Sequence, residues 1–349
     1  MAIHDFDSLS RIARAAKAPP DAVRRFGIRL YKKHAPLADA LAALPAAAAE
    51  RVGEGAELAP LVLAERRDSR VDGATKIAFR THDGRLIESV VLRFKTGRSS
   101  VCISTQVGCA ADCAFCATGR MGLLRNLTAA EIVAQVLEAG RLLRAEDRRL
   151  RNLVFMGMGE PLHNERALHE GVSALRDVKR CGFTDRHIVV STVGVPDAMV
   201  RFARAFPNVR LALSLHSARQ DVRELIMPVA RRHSLAQLRA ALVEVAAVQS
   251  GRVMIEYLLL DGLTDRDDDL DALRDYLDGI PVHINLIPYN TVEVAGAIRG
   301  TPRERREAFG ARLKRAGFRV TMRHSLGADI DGACGQLVRR VGVEPARHL

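Results

Sequence analysis

From Val101 to Met322 the chain alternates short apolar runs with helical patterns, and this alternation limits the fold more than any other feature. The strand-like runs are Val101–Thr105, Asn152–Met156, Ile188–Thr192, Arg210–Leu215, Val253–Leu259, His283–Ile287 and Phe318–Met322. Helical segments lie between most of them. The clearest is Thr128–Leu143, where Thr128 and Glu131 form a T-x-x-E capping box and Ile132, Val133, Val136 and Leu137 share one face. Strand–helix alternation over about 230 residues means a parallel sheet with right-handed crossovers, and about six units suggest an open or partial (β/α)6 barrel. In such folds the chemistry sits at the carboxyl ends of the strands.

The flanks read differently. Residues 1–70 are expected to form a small helical accessory domain. Residues 1–34 carry eight basic and three acidic side chains, and Pro20 followed by Asp21 suits a helix start. Ala40–Ala49 reads as a helix with a break at Pro45, or as a weakly ordered link. Residues 71–100 are expected to add a β-hairpin: Ala74–Phe94 alternates apolar and polar residues around Asp83-Gly84. Residues 101–340 form the core. No run of 18 apolar residues is present and the first ten residues lack a signal-peptide pattern, so a cytoplasmic protein without a membrane span is expected.

In a reducing compartment, clustered cysteines read as a metal or redox site before a disulfide scaffold. Three of the six cysteines, Cys109, Cys113 and Cys116, fall within eight residues, in the loop after the first strand-like run. Three thiolates from one loop suit an iron–sulfur cluster or zinc. On a four-iron cluster they would leave one iron open to a substrate group. The competing reading is a three-cysteine zinc site completed by a histidine, in a non-catalytic RNA-binding protein. Zinc sites, however, favour paired C-x-x-C knuckles, and this segment has a single one. The net charge of +12 would attract phosphate backbones, although arginine outnumbers lysine 46 to 7, as a GC-rich coding sequence would also give. With no tryptophan and 4% aromatics, gripping single strands mainly by stacking is disfavoured.

C-x-x-x-C-x-x-C after the first strand of a βα barrel resembles the signature of radical S-adenosylmethionine enzymes. CISTQVGCAADCAFCATG followed by GLLRNLT closely resembles the RlmN/Cfr type of radical SAM RNA adenine methyltransferase. So do FMGMGEPLHN at 155–164, STVGV at 191–195, LALSLHSA at 211–218, NLIPYN at 285–290 and DIDGACGQL at 329–337. The resemblance runs from about Ala74 to Leu337 and leaves the first 70 residues outside it. It implies a four-iron four-sulfur cluster on Cys109, Cys113 and Cys116, with S-adenosylmethionine chelating the open iron. It implies that Gly159, Glu160, Ser191, Ser214, Leu215, His216 and Asn290 bind that cofactor. Apart from the resemblance, Gly159-Glu160-Pro161 reads equally as a strand-ending turn, and His216 as a buried structural histidine.

By the same resemblance, Cys334 takes a methyl group from one S-adenosylmethionine. A radical from a second removes a hydrogen atom from that S-methyl group, and the methylene adds to carbon 2 or carbon 8 of an adenine. Glu88 is then the proton acceptor, and Cys102 forms a transient disulfide with Cys334 that releases the methylated base. An exposed hairpin glutamate is the alternative for Glu88. Cys181 matches no motif and reads as a buried free cysteine. The implied partners are RNA (ribosomal, and in some members transfer RNA) and an external electron donor such as a flavodoxin, and a monomer is expected. Candidate RNA contacts are the basic N-terminus and two arginine-rich segments, Arg141–Arg151 and Arg299–Arg315, the second of which could equally be an ion-paired helix face. A radical SAM methylase acting on another substrate is the alternative enzyme.

Overall fold

The computed structural model describes residues 2–292 and 298–337. In chain order its strands are β1 (Leu61–Asp68), β2 (Ala74–Thr81), β3 (Leu86–Arg93), β4 (Ser99–Cys102), β5 (Gln106–Gly108), β6 (Leu123–Asn126), β7 (Leu150–Phe155), β8 (Ile188–Thr192), β9 (Arg210–Ser214), β10 (Val253–Leu259), β11 (Val282–Pro288) and β12 (Arg319–Met322). Its helices are α1 (Phe6–Ala15), α2 (Pro20–Gly27), α3 (Leu37–Leu41), α4 (Ala46–Gly55), α5 (Ala117–Arg120), α6 (Ala129–Ala145), α7 (Glu165–Arg176), α8 (Pro196–Ala205), α9 (Gln220–Ile226), α10 (Leu235–Val248), α11 (Asp267–Leu277) and α12 (Arg303–Arg315). Among the described residues one sheet has ten strands in the order β1-β2-β3-β4-β7-β8-β9-β10-β11-β12, and β5 and β6 form a separate ribbon. From β4 onward every neighbouring pair is parallel, whereas β1 to β4 pair antiparallel.

The strands carry two kinds of side chain because successive residues point to opposite faces. Leu153, Phe155, Ile188, Val190, Leu211, Leu213, Ile255 and Ile284 are buried in the apolar core. The other face is polar: Ser191 pairs with Ala212, two residues before Ser214, Ser214 pairs with Glu256, and Glu256 pairs with Asn285. This is the binary pattern of a partial barrel with helices outside and a site inside. Thr128 and Glu131 form the expected reciprocal capping box on α6, and buried Gln135 of that helix ties Ser89 and Ser104 to it.

The sheet is open, with β1 and β12 at its edges. The chain after β12 crosses back to the β1–β2 end. Asp329 accepts from Ser69 Oγ at 2.8 Å and from Arg70 N at 3.0 Å, and Gly327 N donates to Asp72 at 2.8 Å. Residues 327–337 thus span the seam of the barrel.

The hairpin forms as expected, with Ala78 opposite Glu88. The first 70 residues are helical only as far as Gly55, and Leu61–Asp68 is a strand instead. Its sequence, LVLAERRD, is mostly exposed on an outer edge. Charges that blunt an edge strand hide its β signal. The helical part rests on the barrel's outer helices: Arg180 donates to His4 O at 2.9 Å and Arg144 to Lys33 O at 2.6 Å.

Candidate active site

A cavity of about 990 Å³, counted to its open mouth, lies at the carboxyl ends of the parallel strands. Cys109, Cys113 and Cys116 line one side of it, and Glu160, Ser191, Ser214, His216 and Asn290 line the rest together with Cys334. Leu215, Glu88 and Cys102 are buried but do not line it.

The cysteine loop is pinned at both ends. Ala114 N donates to Ile226 O of α9 at 2.9 Å, and Ala117 N donates to Gly335 O at 2.7 Å. Burial pushes the Cys109 thiol up to about 12 and holds Cys113 and Cys116 above the ordinary thiol range. Ligation works against that cost because a bound metal takes the thiolate form. Among the described residues, no three His, Cys, Asp or Glu side chains meet tightly enough to hold a single ion. Cys109 and Cys116 both act electrostatically on Cys113, so the three thiols are neighbours on one cavity and suit a shared metal group.

Gly159 has φ +97°, and a Cβ there would stand 2.5 Å from the Gln106 side chain. A side chain at this position would push the end of β7 away from the loop after β4. The next residue, Glu160, is 2% exposed; its carboxylate accepts from Leu162 N at 2.9 Å and from Val193 N at 2.8 Å. Burial raises its pKa to about 7 despite these bonds. A cation placed in the cavity would restore the charged form. Ser191 Oγ and Ser214 Oγ lie 3.2 Å apart on adjacent strands. His216 is buried with φ +58°, and its Nδ1 accepts from Leu258 N at 3.1 Å. Its pKa falls to about 3 through burial first and the Arg223 charge second, so the ring is neutral. The histidine thus has a structural bond on one nitrogen and still faces the cavity.

The seam-crossing loop brings Cys334 to this cavity. Asn290 Nδ2 donates to Cys334 O at 3.0 Å, and Thr118 Oγ1 donates to Leu337 O. Gly335 has φ +86° and would place a Cβ 3.0 Å from Phe115 O. Solvent reaches Cys334 through the mouth. Protein packed around it nevertheless raises its thiol pKa, with Arg323, Glu256 and Cys116 as the neighbouring charges. Buried Cys102 sits within electrostatic reach: burial first, and then Cys334, hold its thiol far above the ordinary range.

Register explains how Glu88 joins this region. Lys76, Val90, Cys102 and Val154 form one row across β2, β3, β4 and β7, and Glu88 is two residues from Val90 on the same face. Glu88 is 3% exposed, so it is not an exposed hairpin residue. Lys76 Nζ lies 3.4 Å from its Oε1 and 3.3 Å from Asp331 O in the seam loop. Sequence reasoning missed Lys76 and Glu256. A lysine inside a hairpin pattern was the available sign for the first, and the polar break in the apolar run VMIEYLLL for the second.

The opposite, amino-terminal end of the barrel is basic. A cavity of about 1180 Å³ opens there beside Arg186, Arg210, Arg252 and Arg319, and it runs along the sheet to Asn285 and Arg323 toward the carboxyl ends. A neighbouring one of about 1770 Å³ is lined by Lys32, Lys33, Arg98, Arg149 and Arg151. Neither lining contains a carboxylate. In the Arg299–Arg315 segment, by contrast, Arg303 pairs with Glu307, Arg305 with Asp261 and Arg312 with Asp267. The ion-paired helix face is the better description of α12. Cys181 is half-buried and free.

A cysteine loop after the first parallel strand, facing a cavity at the strands' carboxyl ends in a partial barrel, defines the radical SAM class, and the model of the radical SAM superfamily matches residues 103–273. A probable RNA methyltransferase of Rhodopirellula baltica is 50% identical over 289 residues, covering 83% of this chain and 76% of that protein. A dual-specificity RNA methyltransferase RlmN 2 of Myxococcus xanthus is 42% identical, covering 89% and 82%. The crystal structure of a radical SAM methyltransferase from Sphaerobacter thermophilus superposes with a TM-score of 0.91 at 38% identity, covering 96% of this chain and 98% of that one. The chain belongs to the RlmN-type RNA methyltransferases of the radical SAM superfamily. Enzymes of this superfamily use a four-iron four-sulfur cluster and S-adenosylmethionine. Among the described residues no helix is long and apolar enough to cross a membrane.

Proposed function

We propose that the protein methylates a ring carbon, 2 or 8, of an adenosine in ribosomal RNA, and in transfer RNA as a second substrate, by way of S-methylated Cys334. The observation that carries this reading is the placement of Cys334 in the same cavity as the three clustered cysteines, with its backbone held by Asn290. Cys109, Cys113 and Cys116 are the cluster ligands. Gly159, Glu160, Ser191, Ser214, His216 and Asn290 surround S-adenosylmethionine, and Leu215 contributes only through its backbone. When bound, these groups supply an electrophilic methyl and a carbon-centred radical able to remove a hydrogen atom.

The chain's own residues do the rest. Cys334 gives up its thiol proton and takes the methyl on sulfur, and the derived methylene joins the adenine ring carbon. That carbon is electron-poor, so ordinary methyl transfer to it is unavailable. Glu88 takes the proton from the attacked carbon. The adduct gives up its odd electron, for which the iron–sulfur cluster, when bound, would be the acceptor, and Cys102 then attacks Cys334 sulfur. A disulfide forms, the carbon–sulfur bond breaks, and the departing carbon takes up a proton. Lys76 holds Glu88 and the seam loop together. The target base leaves its stack to reach Cys334 at the carboxyl-end cavity, and the basic amino-terminal end holds RNA backbone remote from that base. An external one-electron donor such as a flavodoxin reduces the cluster, and the enzyme works as a cytoplasmic monomer.

The test is the Cys102→Ala protein turned over with total cellular RNA. An RNA covalently attached through Cys334 is expected, and sequencing it identifies the substrate. No attached RNA under turnover would remove the roles given to Cys102 and Cys334.

A further inference from the structure

Arg223, on α9, has an exposure of 0%. Two of its guanidinium nitrogens are committed to main-chain carbonyls: Nε donates to Leu215 O at 3.2 Å and Nη2 to Val193 O at 2.6 Å. The third, Nη1, is buried and has no hydrogen-bond partner among the described residues. Arginine stays protonated in a protein interior, and a buried charge left without a counter-charge is strongly unfavourable. The acidic groups within electrostatic reach of Arg223 are the Tyr276 phenol and the Cys113 thiol. Among the described residues no carboxylate pairs with the guanidinium.

The neighbourhood supplies the missing anion. Helix α9 packs on the cysteine loop: Ile226 O accepts from Ala114 N, and Ile226 and Met227 share an apolar cluster with Cys109, Ala111 and Cys113. Arg223 is therefore pinned by its backbone bonds beside a ligand thiol, in an apolar surround that weakens screening. Three thiolates on a four-iron cluster leave it anionic, and an added electron makes it more so. A fixed buried cation stabilises the reduced form more than the oxidised form.

We propose that Arg223 is the built-in counter-ion of the iron–sulfur cluster, offsetting the charge of the electron it receives from the external donor and so making it easier to reduce. It is a positioning and tuning residue and transfers no atom. The inference rests on the reading of Cys109, Cys113 and Cys116 as cluster ligands.

The experiment uses the full chain, reconstituted anaerobically with iron and sulfide, as wild type, Arg223→Gln and Arg223→Lys. Cluster loading is read from iron content and visible absorption, and the midpoint potential from a dye-mediated titration followed by electron paramagnetic resonance. Without S-adenosylmethionine, Arg223→Gln is expected to be about tenfold harder to reduce, which is about 59 mV more negative for a one-electron couple. Arg223→Lys, which keeps the charge, is expected to stay within about threefold of wild type. Loading by Lys but not by Gln also supports the proposal, since charge is then needed to hold the cluster. A loaded Arg223→Gln protein with the wild-type potential overturns it. So does failure of both variants to load while circular dichroism stays native, because shape rather than charge would then matter. A wild-type chain that binds no cluster would instead overturn the ligand reading beneath it.

Discussion

The side-chain amide of Asn290 donates to the main-chain carbonyl of Cys334 across 3.0 Å, joining the loop after β11 to the loop that crosses the barrel seam. The bond leaves the Cys334 thiol free of that anchor, so the residue is located by its backbone and its sulfur remains available for chemistry. Asn290→Ala should preserve the fold and lose one hydrogen bond, about 1 kcal/mol. Methylation of Cys334, followed by mass spectrometry of its peptide, should slow about fivefold. Asn290→Asp should be worse, since a carboxylate would face a carbonyl oxygen. Equal methylation rates in all three proteins would show that the bond does not position Cys334.

The Lys76–Glu88 pair makes a separate prediction about stability. Both side chains are nearly inaccessible, at 7% and 3% exposure, so solvent screening is weak. Lys76→Met would remove the Lys76 cation from beside the buried Glu88 carboxylate and should cost about 3 kcal/mol in denaturant unfolding. Adding Glu88→Gln to that variant should recover much of the loss. If the double variant is no more stable than Lys76→Met, the two residues are not coupled.

Much of the architecture was legible in the sequence because core strands and helix caps report local chemistry. The runs beginning at Ile188 and Val253 became strands over the residues expected, and the Thr128–Glu131 box closed as its spacing indicated. Strand β1 was not legible, since an exposed edge with Glu65, Arg66 and Arg67 carries no buried stripe. The site followed the same division. Cys109, Cys113 and Cys116 share a local spacing, whereas Cys334 reaches them only through the tertiary path from Gly327 to Asp72 and from Gly335 to Ala117. Lys76 acquires meaning only when β2 lies beside β3, and the orphaned nitrogen of Arg223 only when α9 is packed. No pattern along the chain encodes either.

The basic amino-terminal face predicts a salt-dependent affinity for RNA. Arg149 and Arg151 are exposed, and Arg210, Arg252 and Arg319 are exposed around the neighbouring cavity. Replacing Arg210, Arg252 and Arg319 together with alanine should weaken binding to the substrate RNA. It should also reduce the slope of log affinity against log salt by about one for each phosphate that is no longer neutralised. Arg303→Ala, whose side chain already pairs with Glu307, should leave that slope unchanged. A slope lowered only by the α12 variant would place the RNA on the other surface.

His34 gives the docking of the N-terminal helices a pH dependence. Its ring packs on Gly140 of α6, where an added Cβ would lie 2.5 Å from the imidazole, and its Nδ1 is buried without a hydrogen-bond partner among the described residues. Burial first, and the Arg144 charge second, lower its pKa from 6.5 to about 4. Between those values the unfolded chain binds the proton and the docked ring does not. The contribution is therefore complete above pH 6.5 and is lost progressively as pH falls toward about 4. Hydrogen exchange at residues 28–36 should accelerate at pH 5 relative to pH 7, after correction for intrinsic rates. His34→Asn accepts the left-handed backbone at φ +45° without titrating. In that variant the corrected exchange of this segment should change less between the two pH values. An equal change in both proteins would assign the acid response to another group.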